Sequence, residues 1–392
     1  MASRSSHVNK PMKVNILGGG PAGLYAALLL KRLNPGHEIT LYERDAPDAT
    51  FGWGIVFSDQ TFAYLAERDR PSYENIINCC QIWDNVDVIH RGQKITIRGN
   101  GFSGVSRLEF LKILRSRCVE LGINMQFHTV VSDVAAYREA DLVIGADGAN
   151  SLVRQTYSQF FQPTVDIRRN KYIWLGTQQL FHGLTLIFRE NHDGAFAAHC
   201  YKFSPTHSTF IVECSEATWL KAGFDKLASA ETCNYLEQLF ADDLQQHELL
   251  TNNFVKWLNF PIVKNNHWRH ENVVLLGDAL HTAHFSIGSG TKLALDDAIA
   301  LADSVARTNS VSSALSDFEA TRRPRVESYQ AAAESSLLMF ENMADEMKFA
   351  PLEFAYRMMT RSNKVTYEKL KLRDPLFIAQ YDAWQLSASA NA

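Results

Sequence analysis

Residues 18–23 read GGGPAG, and this turn constrains the fold more than any other stretch. It follows a short apolar run, Lys13 to Leu17, which is predicted as a buried strand. It opens a helical pattern from Pro21 to Leu33, with proline near the first turn. Glu38 to Tyr42 then alternates as a strand does, which completes a βαβ unit. Gly18, Gly20 and Gly23 fit G-x-G-x-x-G in the strand–turn–helix context that the motif requires. Gly18 permits the tight turn, Gly20 lets the backbone approach a pyrophosphate, and Gly23 lets the helix pack close to the strand. Pro21 and Ala22 lie inside the same turn, where the helix N-terminus offers free N–H groups and the positive end of its dipole. Glu43 stands about twenty residues past Gly23, where an acid accepts hydrogen bonds from ribose hydroxyls. Arg44 follows it and is placed to meet phosphates. A glycine turn without a ligand is the plain alternative, and the motif alone does not separate one dinucleotide cofactor from another.

Two more apolar runs end in turn residues. Residues 141–154, DLVIGADGANSLVR, put Asp147 and Gly148 at a strand end, with Asn150, Ser151 and Arg154 after them. Asp-Gly is also a common turn pair. Residues 273–302 read VVLLGDALHTAHFSIGSGTKLALDDAIALA. Here a buried strand ends in Gly277 and Asp278, a loop with Gly288 follows, and a helix begins near Gly290 and Thr291. Asp296 and Asp297 fall in its second turn.

Between these stretches the pattern is β-like. Gln81 to Arg98 alternates, and four segments from Tyr172 to Cys214 (YIWLGTQQLF, LTLIFRE, AFAAHCYKF, STFIVEC) predict a second, antiparallel sheet. Ser106 to Leu121 is predicted as a helix with Ser106 and Glu109 forming a capping box. Asn124 to Thr129 and Asp141 to Ala146 are predicted as returning strands. Short helices are expected around Ala217 to Leu220 and Ala230 to Phe240, and mostly helix after Gly290. The nucleotide-binding part is therefore discontinuous: 12–60, 98–160 and 268–310. Residues 61–97 and 161–267 form the β-sheet substrate part, and 311–392 a C-terminal helical region. The first eleven residues and the polar tail after Trp384 are expected to be mobile.

Composition excludes several classes. A formal net charge of -4 marks no nucleic-acid binder. No apolar run approaches the roughly 18 residues needed to cross a bilayer, so no membrane partner is expected. Six scattered cysteines without a CxxC pair give neither a zinc site nor a disulfide framework, which fits a cytoplasmic protein with no metal.

The three motifs, in this order and at strand ends, resemble the fingerprints of the FAD-dependent single-component aromatic monooxygenases. The implied fold is α/β: a Rossmann-like FAD-binding domain like that of para-hydroxybenzoate hydroxylase, with an interleaved antiparallel substrate sheet and C-terminal helices. The resemblance implies that Asp147 lies near the FAD pyrophosphate and that Asp278 binds the ribityl chain. It further implies that Ile287 to Thr291 wraps the flavin pyrimidine end, and that Arg107 braces FAD. Val131 joins the cofactor-contacting set. A helix dipole at Gly290 favours negative charge at flavin N1. Phe285 stands where the family usually has proline, and Lys292 where it has asparagine. HFSIGSGTKLALDDAIAL, FGWGIVFSD, GFSGVSR and RRNKYIWLGT resemble the subgroup acting on aryl-CoA thioesters, salicylyl-CoA 5-hydroxylase and the monooxygenase part of 2-aminobenzoyl-CoA monooxygenase/reductase. RNKYIW, STFIVECSE and HFSIG are also similar to a bacterial indole-pathway hydroxylase of violacein biosynthesis.

The chemistry implied belongs to the cofactor. NADPH or NADH, bound transiently, reduces FAD; O2 adds at flavin C4a as a hydroperoxide; an activated aromatic ring attacks its distal oxygen. No side-chain nucleophile is needed. A non-hydroxylating FAD reductase is the alternative from another class, and a hydroxylase of an indole or tryptophan-derived substrate the alternative within it. Trp53, His284 and Phe285 are the residues expected at the ring, with Trp174 and His199 behind them. His284 is the candidate to take or share a substrate proton. Cations for a CoA thioester are sought among Arg168, Arg169, Lys171, Lys264, Arg269, Arg322, Arg323 and Arg325. The ring-reducing half of the two-part enzyme is not expected in this chain, and a homodimer is an assembly the resemblance allows.

Overall fold

Lys13–Leu17, Leu142–Gly145 and Val273–Leu275 are short and almost wholly buried, as the central strands of a parallel sheet covered on both faces must be. The computed structural model describes residues 10–50, 52–252 and 255–390. Lys13–Leu17 pairs in parallel with Glu38–Tyr42 on one side and Leu142–Gly145 on the other. Asn124–Gln126 and Val273–Leu275 extend the sheet in parallel, and Arg269–His270 closes one edge antiparallel. This order sets the carboxyl ends of Lys13–Leu17, Leu142–Gly145 and Val273–Leu275 side by side, the place where open α/β sheets bind ligands. The helix Pro21–Leu33 starts with Pro21 in its first turn and ends with Lys31 and Arg32, which suit its dipole. Strand, helix and second strand have the limits expected from the sequence.

The second sheet runs Leu249–Leu250, Pro163–Thr177, Ser208–Cys214, Gly194–Lys202, Leu184–Asn191, Val86–His90, Gln93–Ile97, with Leu258–Asn265 pairing along Pro163–Thr177. Alternation gives it two unlike faces. Phe196, Cys200, Phe210 and Val212 point into an apolar core with Phe224, Leu236 and Phe240. The opposite positions are Tyr172, Trp174, His199, Tyr201, Thr209 and Glu213, in adjacent register. A polar and aromatic face inside a fold is exceptional, because buried polar groups need partners. That face looks toward the loop after Val273–Leu275.

Packing crosses the sequence limits expected for the parts. Asp59–Arg68 and Arg70–Cys79 are helices that alternation did not announce. Phe62, Leu65 and Ile76 from them join the nucleotide-side core. Asp69, fully buried at the junction, caps the second helix through Ser72 and binds Arg32 at 3.0 Å and Arg117 at 3.2 Å. The long helix Val311–Glu341 contributes Ala314, Leu315, Phe318 and Val326 to the same core. Its far end packs with the later helices on the second sheet, where Phe340, Phe354, Met358 and Phe377 meet Val88 and Phe188.

Three local expectations need correction. Ser106 caps the helix Arg107–Glu120, but the Glu109 carboxylate pairs with Lys112 at 2.8 Å and does not close the box. The strand expected to reach Thr129 ends at Gln126. The tail does not fray after Trp384: Pro375–Ala390 is helical, with Ser387 and Ser389 hydroxyls donating to helix carbonyls. Residues 1–9 of the expected N-terminal extension lie outside the described residues. Among the described residues no helix is long and apolar enough to cross a membrane.

The closeness of the first strand to its neighbour gives a test. Gly18 has φ +114°, and a Cβ there would overlap the carbonyl of Ala146. Gly92 has φ +72° but faces open space. Gly18→Ala is expected to destabilise by roughly 3 kcal/mol in urea unfolding, and Gly92→Ala by about 1 kcal/mol. Equal losses would contradict the packing.

Candidate active site

Three glycine turns meet at the tips of the parallel strands. Gly18 lies against Ala146, the residue before Asp147 and Gly148. A Cβ on Gly277 would meet the Ala22 Cβ at 3.0 Å, so the first and third turns also touch. Arg154 joins the second to the third by donating to the Ala279 and Ala149 carbonyls. A Cβ on Gly20, by contrast, would meet nothing within 4 Å, which leaves open room at the uncapped N-terminus of Pro21–Leu33. A pyrophosphate fits that room and the N–H groups facing it.

The acids around this opening hold distinct positions. Glu43 Oε2 accepts from Gly19 N at 2.6 Å and Oε1 from Asp45 N at 2.9 Å, fixing the carboxylate with lone pairs to spare. Asp147 accepts from Ser151 Oγ at 2.5 Å and Leu152 N at 2.7 Å, so its carboxylate also anchors the helix that follows Gly148. Asp278 is exposed while closely surrounded by protein, so it projects into a cleft. That enclosure pushes its carboxyl above the usual range, and the Arg107 guanidinium opposes the push. Behind it Asp297 accepts from Gly277 N at 3.0 Å and Arg322 Nε at 2.8 Å, with His281 Nε2 at 2.8 Å. This buried set fixes the third turn from beneath.

Several buried donors around the opening have no partner within the protein. They are Arg107 Nε, Nε and Nη1 of Arg115, and the indole nitrogens of Trp53 and Trp174. Unsatisfied buried donors are costly and call for a ligand or water. Arg115 lies two turns after Arg107 on one helix and near Glu43, at the end opposite Asp278. A long dinucleotide with polar groups at both ends fits this donor set. Arg115 was not singled out in the sequence; its helical spacing from Arg107 was the available signal. Arg44 is exposed beside Asp45, directed to solvent. Val131 packs half-buried on the nucleotide core, Gly288 is exposed with φ +63°, and Gly290 and Thr291 open the helix Gly290–Arg307 without a side-chain cap. Lys292 binds Asp296 at 2.6 Å.

The residues expected at the ring lie along the polar face of the second sheet. The Trp53 ring lies on Gly176 and the Trp174 ring on Gly52, so that a Cβ at either glycine would strike an indole at 2.7 or 2.6 Å. Trp53 O accepts from Arg107 N at 2.9 Å, which ties this aromatic wall to the arginine expected to brace the cofactor. Phe285 sits with its ring centroid 4.9 Å from Tyr172 and 5.3 Å from His199. His284 Nδ1 is bonded to Ser286 Oγ at 2.9 Å and receives the Ser286 N–H at 3.4 Å. Burial lowers the His284 pKa to about 4, against the attraction of Glu213. The imidazole is therefore neutral near neutral pH. A backbone N–H only donates, so Nδ1 keeps its lone pair and Nε2 carries the proton. Nε2 lies 3.9 Å from Glu213 Oε1. Sequence reading passed over Glu213, because one acid in an apolar strand reads as a surface position.

The basic residues proposed for a CoA group divide sharply. Arg322 is buried against Asp297 and is a structural residue, not a surface cation. Arg168 is held by Glu341 and Asp166, Lys264 by Glu334, Arg269 and Arg323 by Glu319. Lys171 binds Asn259 at 2.7 Å. Arg169 is exposed, lines a groove of about 440 Å³ with Asn170, Ser215 and Glu341, and makes no ion pair among the described residues. Arg325 is likewise exposed, away from that groove. No cluster of metal-ligating side chains occurs among the described residues.

Gly20→Val places a branched side chain in the open room, and Asp278→Ala removes the carboxylate in the cleft. Each variant is expected to purify folded but without the yellow flavin absorbance. Full colour in both would overturn the cofactor assignment.

An FAD binding domain family matches residues 11–333. The chain is 39% identical over 386 residues to salicyloyl-CoA 5-hydroxylase of a Streptomyces species, covering 96% of this chain and 74% of that one. It is 33% identical to protodeoxyviolaceinate monooxygenase of Chromobacterium violaceum, covering 88% and 92%. It is also 33% identical to 3-hydroxy-4-methyl-anthranilyl-[aryl-carrier protein] 5-monooxygenase of Streptosporangium sibiricum, covering 92% and 97%. Its fold is shared with 2-methyl-3-hydroxypyridine-5-carboxylic acid oxygenase, at a TM-score of 0.69 and 18% identity, over 93% and 96% of the two chains. With these matches and the three converging turns, the chain belongs to the FAD-dependent aromatic monooxygenases.

Proposed function

We propose that this enzyme hydroxylates an activated aromatic ring borne on a thioester, with NADPH or NADH as reductant and O2 as oxidant. The observation that carries this reading is the polar sheet face itself: Tyr172 on it lies close enough to feel the Asp278 charge, and Glu213 on it binds Asn170, which lines a groove that holds the uncommitted Arg169. Two of the relatives are named for aryl groups carried on CoA or on an aryl-carrier protein, which supports the thioester. FAD, when bound, supplies the activation of O2 and the delivery of one oxygen atom to the ring.

The chain's own residues bind, orient and exclude water. Gly20 and the helix behind it would hold the pyrophosphate, Asp278 the ribityl hydroxyls, and Arg107 would brace the ring end. The loop from Ile287 to Thr291 would hold the pyrimidine edge. Trp53, Trp174 and Phe285 wall the substrate ring and keep water out, which protects an oxygen donor that water would destroy. His284 stands at the wall with its N–H toward Glu213. The substrate's carrier arm lies in the groove beside Arg168 and Arg169.

NADH and NADPH oxidation is measured with salicyloyl-CoA, 2-aminobenzoyl-CoA, the free acids and indoles, with product oxygenation followed by mass. Stimulation and oxygenation by thioesters are expected. The similarity to a violacein-pathway monooxygenase favours a second reading, an indole-derived substrate. Oxygenation of indoles alone would establish that reading, and coenzyme oxidation with no oxygenated product would contradict both. Arg169→Glu is expected to raise KM for a CoA thioester about tenfold, roughly 1.4 kcal/mol, with little change for the free acid.

A further inference from the structure

The strand Pro163–Thr177 has one open edge. Its pairing with Ser208–Cys214 begins only at Lys171, and Leu258–Asn265 lies along its other side. Past Cys214 the neighbouring chain leaves the sheet and turns into the helix Glu216–Lys221, capped by Ser215. Among the described residues, no strand therefore stands beside 163–170 on that side. The groove of about 440 Å³ takes the place that the strand has left, with Ile167 to Asn170 of the edge along one wall and Ser215 to Ala217 along the other.

The register shows which main-chain groups face this groove. In an antiparallel pair, opposite residues either bond to each other or both turn away. Val263 turns away from Pro163–Thr177: its N–H donates to Thr282 Oγ1 at 2.8 Å, and its carbonyl accepts from Thr282 N at 3.2 Å and Gln330 Nε2 at 2.9 Å. The Pro261 carbonyl likewise accepts from Thr282 Oγ1 at 2.6 Å. Val165 and Ile167 are opposite these two residues, so their own N–H and C=O groups point the other way, to the open edge. Neither residue makes a main-chain hydrogen bond there among the described residues. Their side chains are exposed as well, Val165 at 45% and Ile167 at 58%.

The open stretch is short. Pro163 has no N–H to offer on it, and past the bulge at Ile167 the carbonyls of Arg168, Arg169 and Asn170 accept from Asn259 Nδ2 on the opposite side. Val165 and Ile167 stand about 7 Å apart, too little to seat a protein strand of about five or six residues. It is enough for a small extended ligand that carries amides. Arg169 lines the same groove without an ion pair among the described residues, where an anion would balance it. Arg168 is not available for that, because Glu341 and Asp166 already hold it.

We propose that the pantetheine arm of the substrate's thioester lies extended along this edge, its amides hydrogen-bonded to the outward N–H and C=O groups of Val165 and Ile167 and its phosphate beside Arg169. This rests on the thioester reading above and adds the means of recognition: the enzyme reads the arm as well as the ring it carries. The apolar dimethyl group of the arm packs on the exposed Ile167 side chain. The ligand thus adds a short strand to the second sheet, in place of the one that turns away at Cys214.

KM and kcat are measured with salicyloyl-CoA on the FAD-loaded wild type, Ile167→Pro and Ile167→Ala. Proline deletes the outward N–H and leaves the ladder to Leu258–Asn265 in place, as Pro163 does in the same phase of the strand. Ile167→Pro is expected to raise KM about tenfold, with kcat and flavin content near wild type. Ile167→Ala keeps the N–H and should raise KM by less than about threefold. An analogue of salicyloyl-CoA with both arm amides replaced by esters removes the donors on the ligand side. Its KM with the wild type should also rise about tenfold, which carries the test if the proline variant does not fold. Salicyloyl-phosphopantetheine set against salicyloyl-CoA separates the two carriers of such an arm. Equal KM values point to a carrier protein, a KM about tenfold lower for the CoA ester points to coenzyme A, and the proline effect is required in both cases. Unchanged KM for both the proline variant and the ester analogue, with salicyloyl-CoA still oxygenated, overturns the edge subsite alone. No oxygenation of any thioester by the wild type overturns it together with the proposed function.

Discussion

The carbonyl of Ala146 lies where a side chain on Gly18 would have to be, and Ala22 lies against Gly277. These backbone approaches bring three strand tips, far apart in the chain, to one opening. Everything polar in the site is placed relative to them. Asp278 projects into the cleft because Gly277 turns at φ +58°, and Asp297 with Arg322 holds that turn from below. Arg154 stitches two of the tips through their carbonyls. This opening is built mainly from main-chain geometry, which suits a phosphate held by N–H groups.

The second sheet supplies the other half of the site by the simple fact of alternation. One face is largely apolar and packs on helices. The other places Tyr172, Trp174, His199 and Glu213 opposite the loop that carries His284 and Phe285. Interleaving the two sheets in the chain is what lets Trp53, on a segment between them, rest on Gly176 while its carbonyl accepts from Arg107. Aromatic wall and strand-tip opening are thereby joined through Arg107 and Trp53.

Much of this was legible in the residues. The βαβ unit, the two later strand-end motifs and the antiparallel sheet followed from period and glycine placement, because those signals are local. The helices from Asp59 to Cys79 were not, since that stretch is polar on average and is interrupted by Asp69 and Pro71. Arg322 was read as a surface cation because charge does not announce its partner; Asp297 lies 25 positions away. Glu213 escaped for the converse reason. It takes a polar place in a strand whose other face is apolar, and only the docking of the His284 loop turns that place into an interior one.

The central claim is that cofactor and substrate ring meet between the Gly277 to Thr291 loop and the polar sheet face. A crystal structure of the FAD-loaded enzyme with an aryl-CoA ligand tests it most directly. The account predicts pyrophosphate density over Gly20, the flavin ring along Ile287 to Thr291, and the aryl ring between Trp53 and Phe285. A flavin ring turned away from the second sheet, or an aryl ring bound where no residue of that face touches it, would contradict the account.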